Sequence, residues 1–286
     1  MRVLVVGFGS IGKRHYEVLK ELGYKVDILS RRKNQSLQKT NLKKYDYFVI
    51  ATENSLHYKQ LKYIDKNVKN KIIFCEKPLF DKYKKLKIKN NKVYVGYVLR
   101  FHPLLQKLKS FLKNEKILFI NAKCGQFLPT WRNTDYKKSY SAKKEGGVLL
   151  DLSHEIDYVR YLAGDIKKIK SYQVKLSDLE IKKDDLTTFI GKAKNTIVNV
   201  TIDYISKLTH RFIIVETLNT TYKLDFIKNE IIIQKDKKEV ISINIDRNYM
   251  FKEMHKSILK DEKICCSYED GLKVMKIISK IQKENR

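Results

Sequence analysis

"VLVVGFGSIGKRH", Val3 to His15, decides how this chain is read. A short, continuous apolar run suits a strand buried on both faces, and such strands belong to parallel sheets covered by helices. The run ends in Gly7-x-Gly9-x-x-Gly12 and passes into a helical pattern. In that setting the first glycine permits a tight turn, the second lets a pyrophosphate approach the backbone, and the third lets helix and strand pack closely. The exposed N–H groups and the positive end of the helix dipole then favour a diphosphate. A plain strand-to-helix turn is the alternative; the flanking elements favour a dinucleotide held by Gly7, Phe8, Gly9, Ser10, Ile11 and Gly12.

Outward from this turn the pattern repeats. "KVDILS", "YDYFVIAT", "KIIFCEKP" and "KVYVGYV" read as further buried strands, with helical spacing over Gly12 to Leu22 and Ser55 to Asn67. This alternation is that of an α/β, Rossmann-type unit. Beyond about residue 112 the rhythm changes. "KILFINAKCGQF", "IKKIKSYQVKL", "LTTFIGKA", "TIVNVTIDY", "HRFIIVETL", "TTYKLDFI" and "EIIIQK" follow one another with short turns, which predicts a mainly antiparallel sheet in an α+β unit. The tail returns to helical spacing in "YMFKEMHKSILK" and "EDGLKVMKIISKIQKEN". Residues 1–112 are therefore expected to form a dinucleotide-binding domain and 113–286 a second, α+β domain.

The bulk properties narrow the class. With 286 residues, 43% hydrophobic and 32% charged, the chain can bury a large core. No apolar stretch reaches the roughly 18–20 residues of a spanning helix, so no membrane partner and a cytoplasmic location are expected. Cys75, Cys124, Cys265 and Cys266 lack the spacing of a metal clamp, which predicts reduced thiols and no metal site. A net charge of +28 invites a nucleic-acid reading. However, the basic residues are mostly lysines spread along the chain, whereas base readout favours clustered arginine forks, so a solvated lysine surface and no nucleic-acid partner are preferred.

The second strand ends in Ser30, Arg31 and Arg32, where selectivity for NAD would place a carboxylate. A hydroxyl and guanidinium forks suit a 2′-phosphate, which points to NADP with NAD as the alternative; two solvated arginines would give the same sequence. "ATENSLH" adds Ala51, Thr52, Asn54 and His57 at the end of the third strand, and "CEKP" adds Glu76 and Lys77 at the end of the fourth. A lysine at a sheet edge before proline can be partly desolvated and serve as an acid or base. Later, "GGVLLDLSHEIDYVRYLAG" plotted as one helix puts Leu149, Leu152, Ile156, Val159 and Ala163 on one stripe. Asp151, His154, Glu155 and Tyr158 fall opposite, so Asp151 can orient His154, and Gly146 and Gly147 admit a flat ligand at the helix start. A dipole-favoured carboxylate beside a solvated histidine is the bland alternative.

Together "GFGSIG", "ATENSLH", "EKP", "RFHP" and "GG…D..H..D" resemble, over nearly the whole chain, the Gfo/Idh/MocA family (glucose–fructose oxidoreductase, inositol dehydrogenase, rhizopine catabolism). The resemblance implies that Lys77 and His154 exchange a proton with a sugar hydroxyl while hydride passes between sugar carbon and nicotinamide C4, with Asp151 orienting His154. There are departures: Asp151 and His154 are three apart where the family has four, so Asp157 can share the role; Glu53 replaces a proline; and two glycines stand for three. "RFHPLLQKLKSFL", "LPTWR" and "KKSYSAKKEGGVLLDLSHEIDY" also resemble a subgroup from bacterial surface-sugar pathways, including those for nonulosonic acids. Arg100, His102, Trp131, Arg132, Tyr136 and Lys137 could then contact an anionic or nucleotide-linked sugar, such as a CMP-linked nonulosonic acid or a UDP-sugar; Trp131 could equally be a core aromatic. The resemblance implies an NAD(P)-dependent sugar or nucleotide-sugar oxidoreductase acting as a homodimer or homotetramer, with a Rossmann domain over residues 1–112 and an open-faced sheet domain over 113–286 for substrate binding and oligomerisation. The rivals are a cofactor-retaining epimerase, lyase or glycosidase and a non-catalytic dinucleotide-binding regulator.

Overall fold

A computed structural model describes residues 1–30, 35–131, 135–143 and 146–285. The chain divides into two compact units, Met1–Phe101 with Asp246–Met275, and His102–Ile245 with Lys276–Arg286. The first break therefore falls some ten residues before the expected 112, and the chain returns to its first unit near the end. The change in rhythm on which the expectation rested marks where the second sheet begins. It carries no sign that α6 (Tyr249–Leu259) and the start of α7 (Tyr268–Glu284) belong with the first.

In the first unit, β1 (Arg2–Val6), β2 (Lys25–Leu29), β3 (Tyr47–Ile50), β4 (Ile72–Cys75) and β5 (Lys92–Val95) run parallel in the order β2-β1-β3-β4-β5, and the short β14 (Cys266–Ser267) pairs antiparallel with β5. Val3, Val5, Tyr47, Val49 and Phe74 meet Val18 and Leu19 of α1 (Ser10–Glu21) and Phe251, Met254 and Ile258 of α6 (Tyr249–Leu259). Alternate residues Leu4, Val6, Phe48, Ile50, Ile73 and Cys75 are equally buried on the other face, as the unbroken apolar runs require. Among the described residues, only short turns, Leu37–Lys39 and Leu42–Lys44, stand between β2 and β3. The chain leaves β1 for β2 on one side and resumes at β3 on the other. This reversal opens a crevice beyond the carboxyl ends of β1 and β3.

In the second unit an eight-stranded sheet runs β13-β12-β11-β10-β6-β9-β8-β7. It comprises β6 (Ile117–Phe127), β7 (Ile166–Val174), β8 (Leu186–Ala193), β9 (Thr196–Asp203), β10 (Ile205–Thr217), β11 (Thr221–Asp225), β12 (Glu230–Gln234) and β13 (Lys238–Ser242). All neighbours are antiparallel except β6 and β9. Ile120, Ala122, Val198, Val200, Ile213 and Val215 are buried on one face, while Ile190 and Ile197 are exposed on the other. No helix among the described residues is long and apolar enough to cross a membrane.

The helix expected over residues 147–163 is interrupted. α4 (Val148–Asp151) ends before Leu152 and Ser153, and α5 (His154–Ala163) begins anew. Glu155 and Tyr158, expected on the outer face, are fully buried. Glu155 Oε1 lies 2.8 Å from Arg211 Nε of β10, an ion pair off the axis of a straight hydrogen bond. Burial pulls the guanidinium pKa down, and Glu155 together with Cys124 and Tyr158 more than offsets it, so Arg211 stays charged. Breaking one side of a buried pair strands the other charge. Glu155→Ala is predicted to cost about 3–5 kcal/mol, measured by urea unfolding; a loss below about 1 kcal/mol would show that the pair contributes little.

Candidate functional site

The residues named from the first five strands gather along one edge of the first unit. After β1, Gly7 takes φ +100°, and a Cβ on it would stand 2.5 Å from Ala51 O and 2.8 Å from Thr52 Cγ2. At Gly12 a Cβ would meet Gly7 O at 2.2 Å, so α1 packs on the strand with no room for a methyl group. At Gly9 it would meet no protein atom within 4 Å. The three glycines thus carry three different constraints: turn, open approach and tight packing. Gly9 precedes α1 without a side-chain cap, and no acidic residue stands in the first turn, which leaves the first N–H groups to an anion from outside. Ser10 is exposed, Ile11 packs on the core, and Phe8 stands edge-on to Tyr16 at 5.9 Å. This cradle fits a dinucleotide diphosphate.

At the end of β2, Ser30 is buried and its N–H donates to Gln35 Oε1 at 3.0 Å. Arg31 and Arg32 lie outside the described residues. The carboxylate within β2, Asp27, is taken by Arg2 at 2.8 Å and by the Tyr45 hydroxyl at 2.8 Å. After β3, Ala51, Thr52 and Glu53 lead into α2 (Asn54–Asn67), where Thr52 Oγ1 donates to Gln60 at 2.6 Å. His57 is buried, with Nε2 3.1 Å from Thr52 O and Nδ1 3.2 Å from the carbonyls of Pro78 and Leu79. It ties the loop after β3 to the loop after β4. Glu76 is buried at the end of β4; its Oε2 accepts the Lys77 N–H at 3.0 Å, and its Oε1 lies 2.8 Å from His15 Nε2. Lys77 is half-buried and precedes a cis Pro78.

Arg100, expected at the substrate, is 1% exposed and turned inward to the Cys265 carbonyl at 3.4 Å and Asp270 at 3.3 Å. Its guanidinium thereby secures the connection after α6. His102, also expected there, belongs to the second unit, where it is 1% exposed with Nε2 3.1 Å from Asn229 Oδ1 and its ring edge-on to Phe226 at 5.2 Å. Both residues have the surroundings of packing groups.

In the second unit, Asp151 accepts from the Tyr204 hydroxyl at 2.6 Å and from Ser141 Oγ. His154, partly exposed, opens α5, and Asp157 is buried one turn on. The helix is interrupted at Leu152–Ser153, so Asp151 ends α4 and His154 begins α5. Trp131 packs at 5.9 Å from Tyr204, Tyr136 OH accepts the Glu180 N–H at 3.3 Å, Lys137 pairs with Glu180, and Arg132 lies outside the described residues. Gly146 and Gly147 admit protein rather than a flat ligand: a Cβ on Gly146 would meet Tyr140 O at 2.3 Å, and one on Gly147 would meet Asp184 Oδ1 at 2.5 Å. Asp184 accepts the Leu149 N–H at 2.9 Å and so holds the start of α4; burial pushes its carboxyl upward. Sequence reading missed Tyr204 and Ser141 on Asp151 and His15 on Glu76. His15 sits in the opening stretch, three residues after Gly12, and that spacing is the one signal that could have found it.

No protein-family profile and no curated protein matches the chain. Solved structures do. UDP-N-acetylglucosamine 3-dehydrogenase GnnA from Acidithiobacillus ferrooxidans aligns over 100% of this chain and 97% of its own, at 15% identity and TM-score 0.81. An oxidoreductase from Agrobacterium radiobacter, in complex with NAD+, L-tartaric acid and magnesium, aligns over 99% and 96% at 13% identity and TM-score 0.84. The WlbA dehydrogenase from Bordetella pertussis, in complex with NADH and UDP-GlcNAcA, aligns over 99% and 95% at 15% identity and TM-score 0.76. The chain has their fold. At such identities the likeness speaks for the architecture, an α/β unit joined to a mainly antiparallel sheet, and the expected fold class is the one observed.

His57, His102 and His255 are all held below the ordinary histidine value, burial being the first cause of each. The unfolded chain protonates these groups near pH 6.5 while the folded one resists, so stability falls as pH drops through that value toward the lowered folded values. Each contributes up to about 1.4 kcal/mol per pH unit in its window. Melting temperature is predicted to decline steadily from pH 7 to 5.5; a flat or rising profile would contradict the neutral assignment.

Proposed function

We propose that the chain is a nicotinamide-dependent oxidoreductase acting on a sugar or nucleotide-sugar. The observation that carries this reading is the glycine turn, with one close-packed, one strained and one open position at the switch point of the sheet, and with Lys77 at the end of β4 on the same edge. The similarity in fold to GnnA, WlbA and a levoglucosan dehydrogenase bound to NADH supports the substrate class. NADP is the preferred coenzyme, because the carboxylate of β2 is already engaged by Arg2 and Tyr45, and Ser30 with Arg31 and Arg32 suits a 2′-phosphate.

Bound nicotinamide supplies the hydride acceptor or donor. The N–H groups of residues 9–12 hold the diphosphate, and the loop of Ala51, Thr52 and Asn54, braced by His57, borders the coenzyme. Lys77 and His154 move the proton of the reacting hydroxyl, and Asp151, fixed by Tyr204 and Ser141, steadies the segment that carries His154, with Asp157 in the same helix. Residues 1–101 with 246–275 bind the dinucleotide; the remainder, with Trp131, Arg132, Tyr136 and Lys137, binds the sugar. The exposed sheet face around Ile190 and Ile197 pairs with a second copy to give a dimer or tetramer.

Gly9 has φ −77° and space for a Cβ, so Gly9→Ala is predicted to shift the melting temperature by less than about 2 °C. It should nevertheless weaken NADP binding at least ten-fold, about 1.4 kcal/mol, by calorimetry. Unchanged affinity would place the diphosphate elsewhere. Lys77→Met and His154→Ala are each predicted to lower turnover about a hundred-fold or more with coenzyme affinity kept within about three-fold; full turnover in both would refute their roles.

A further inference from the structure

Within the first unit a polar chain runs through the apolar core between four elements. Glu76 Oε1 is 2.8 Å from His15 Nε2, His15 Nδ1 is 2.9 Å from His255 Nε2, and His255 Nδ1 is 2.8 Å from the Tyr47 hydroxyl. His15, His255 and Tyr47 are fully buried, and Phe74 and Phe251 pack edge-on to the His15 ring at 4.9 and 5.5 Å. Gly96 leaves the space for the carboxylate, since a Cβ there would lie 3.0 Å from Glu76 Cδ and Oε1.

Three gaps need three protons, and two neutral imidazoles and one phenol carry three. Burial keeps the phenol protonated. Only one arrangement puts a single proton in each gap: Tyr47 O–H donates to His255 Nδ1, His255 Nε2–H to His15 Nδ1, and His15 Nε2–H to an ionised Glu76. Turning His15 alone sets N–H against N–H and a lone pair against the carboxylate, and turning His255 alone sets its Nε2 lone pair against that of His15 Nδ1. One added proton reverses the chain beyond its point of entry and obliges the Tyr47 hydroxyl to find another acceptor.

We infer that His15, His255 and Tyr47 are positioning residues. Their one-way run of hydrogen bonds ends on the Glu76 carboxylate and fixes it in place, and Glu76 in turn anchors the main-chain N–H of Lys77. The inference deepens the oxidoreductase reading and rests on it for the role of Lys77.

Nitrogen-15 NMR of histidine-labelled full-length protein is expected to show His15 and His255 as neutral Nε2–H tautomers at pH 7. His255→Gln, whose amide can donate to His15 and accept from Tyr47, should preserve the His15 tautomer. His255→Leu should not, and should lower kcat about ten- to a hundred-fold with NADP affinity within about three-fold, while the Gln variant stays within about three-fold of the native kcat. An Nδ1–H or imidazolium form of either ring at pH 7, or equal turnover of the Leu and Gln variants, would overturn the inference. The native spectrum decides the proton order even if the Leu variant fails to fold. It needs no coenzyme, so absence of NAD(P) binding would sink the oxidoreductase reading separately.

Discussion

The packing of α1 against the β1–β3 seam, at a distance that excludes a single methyl group, is the constraint on which the first unit depends. A Cβ at Gly12 would fall 2.2 Å from Gly7 O, and one at Gly7 would strike Ala51 O. Because helix, turn and neighbouring strand are locked together here, the first N–H groups of α1 are aimed rather than merely available. Rigid placement of donors gives an anion site its geometry without reorganisation when the ligand arrives.

Polar groups inside both units serve the same end by a different route. His57 joins two loops through carbonyls, Arg100 secures the segment after α6, and Asp184 holds the first turn of α4. Each is buried and partnered, as the cost of an orphaned polar group demands. Each joins chain segments that lie apart in the sequence.

The parts of the fold legible in the sequence are those dictated locally. Unbroken apolar runs marked β1 to β5, because burial on both faces leaves no polar alternation, and the glycine spacing marked the turn, because only glycine tolerates those approaches. The illegible parts depend on partners far along the chain. Glu155 looked like an outward residue because Arg211, which makes its burial tolerable, belongs to another element. His15 looked ordinary because its neighbour His255 is 240 residues away. Helical spacing announced α6 without saying which unit it covers, and the two residues of β14 leave no pattern at all. The site followed the same division: Lys77 and the turn were readable from strand ends, whereas the inward placement of Arg100 and His102 was not.

The return of residues 246–275 to the first unit has a consequence for biogenesis. As a ribosome extrudes the chain, β1, α1 and β3 emerge early, yet the face formed by Val3, Val5, Val18 and Val49 must wait for Phe251, Met254 and Ile258 from near the other terminus. Throughout that delay the nascent polypeptide carries an uncovered apolar surface while the entire second sheet is being made. The two units therefore cannot mature strictly one after the other, since each awaits a segment made near the end of synthesis, residues 246–275 for the first and 276–286 for the second.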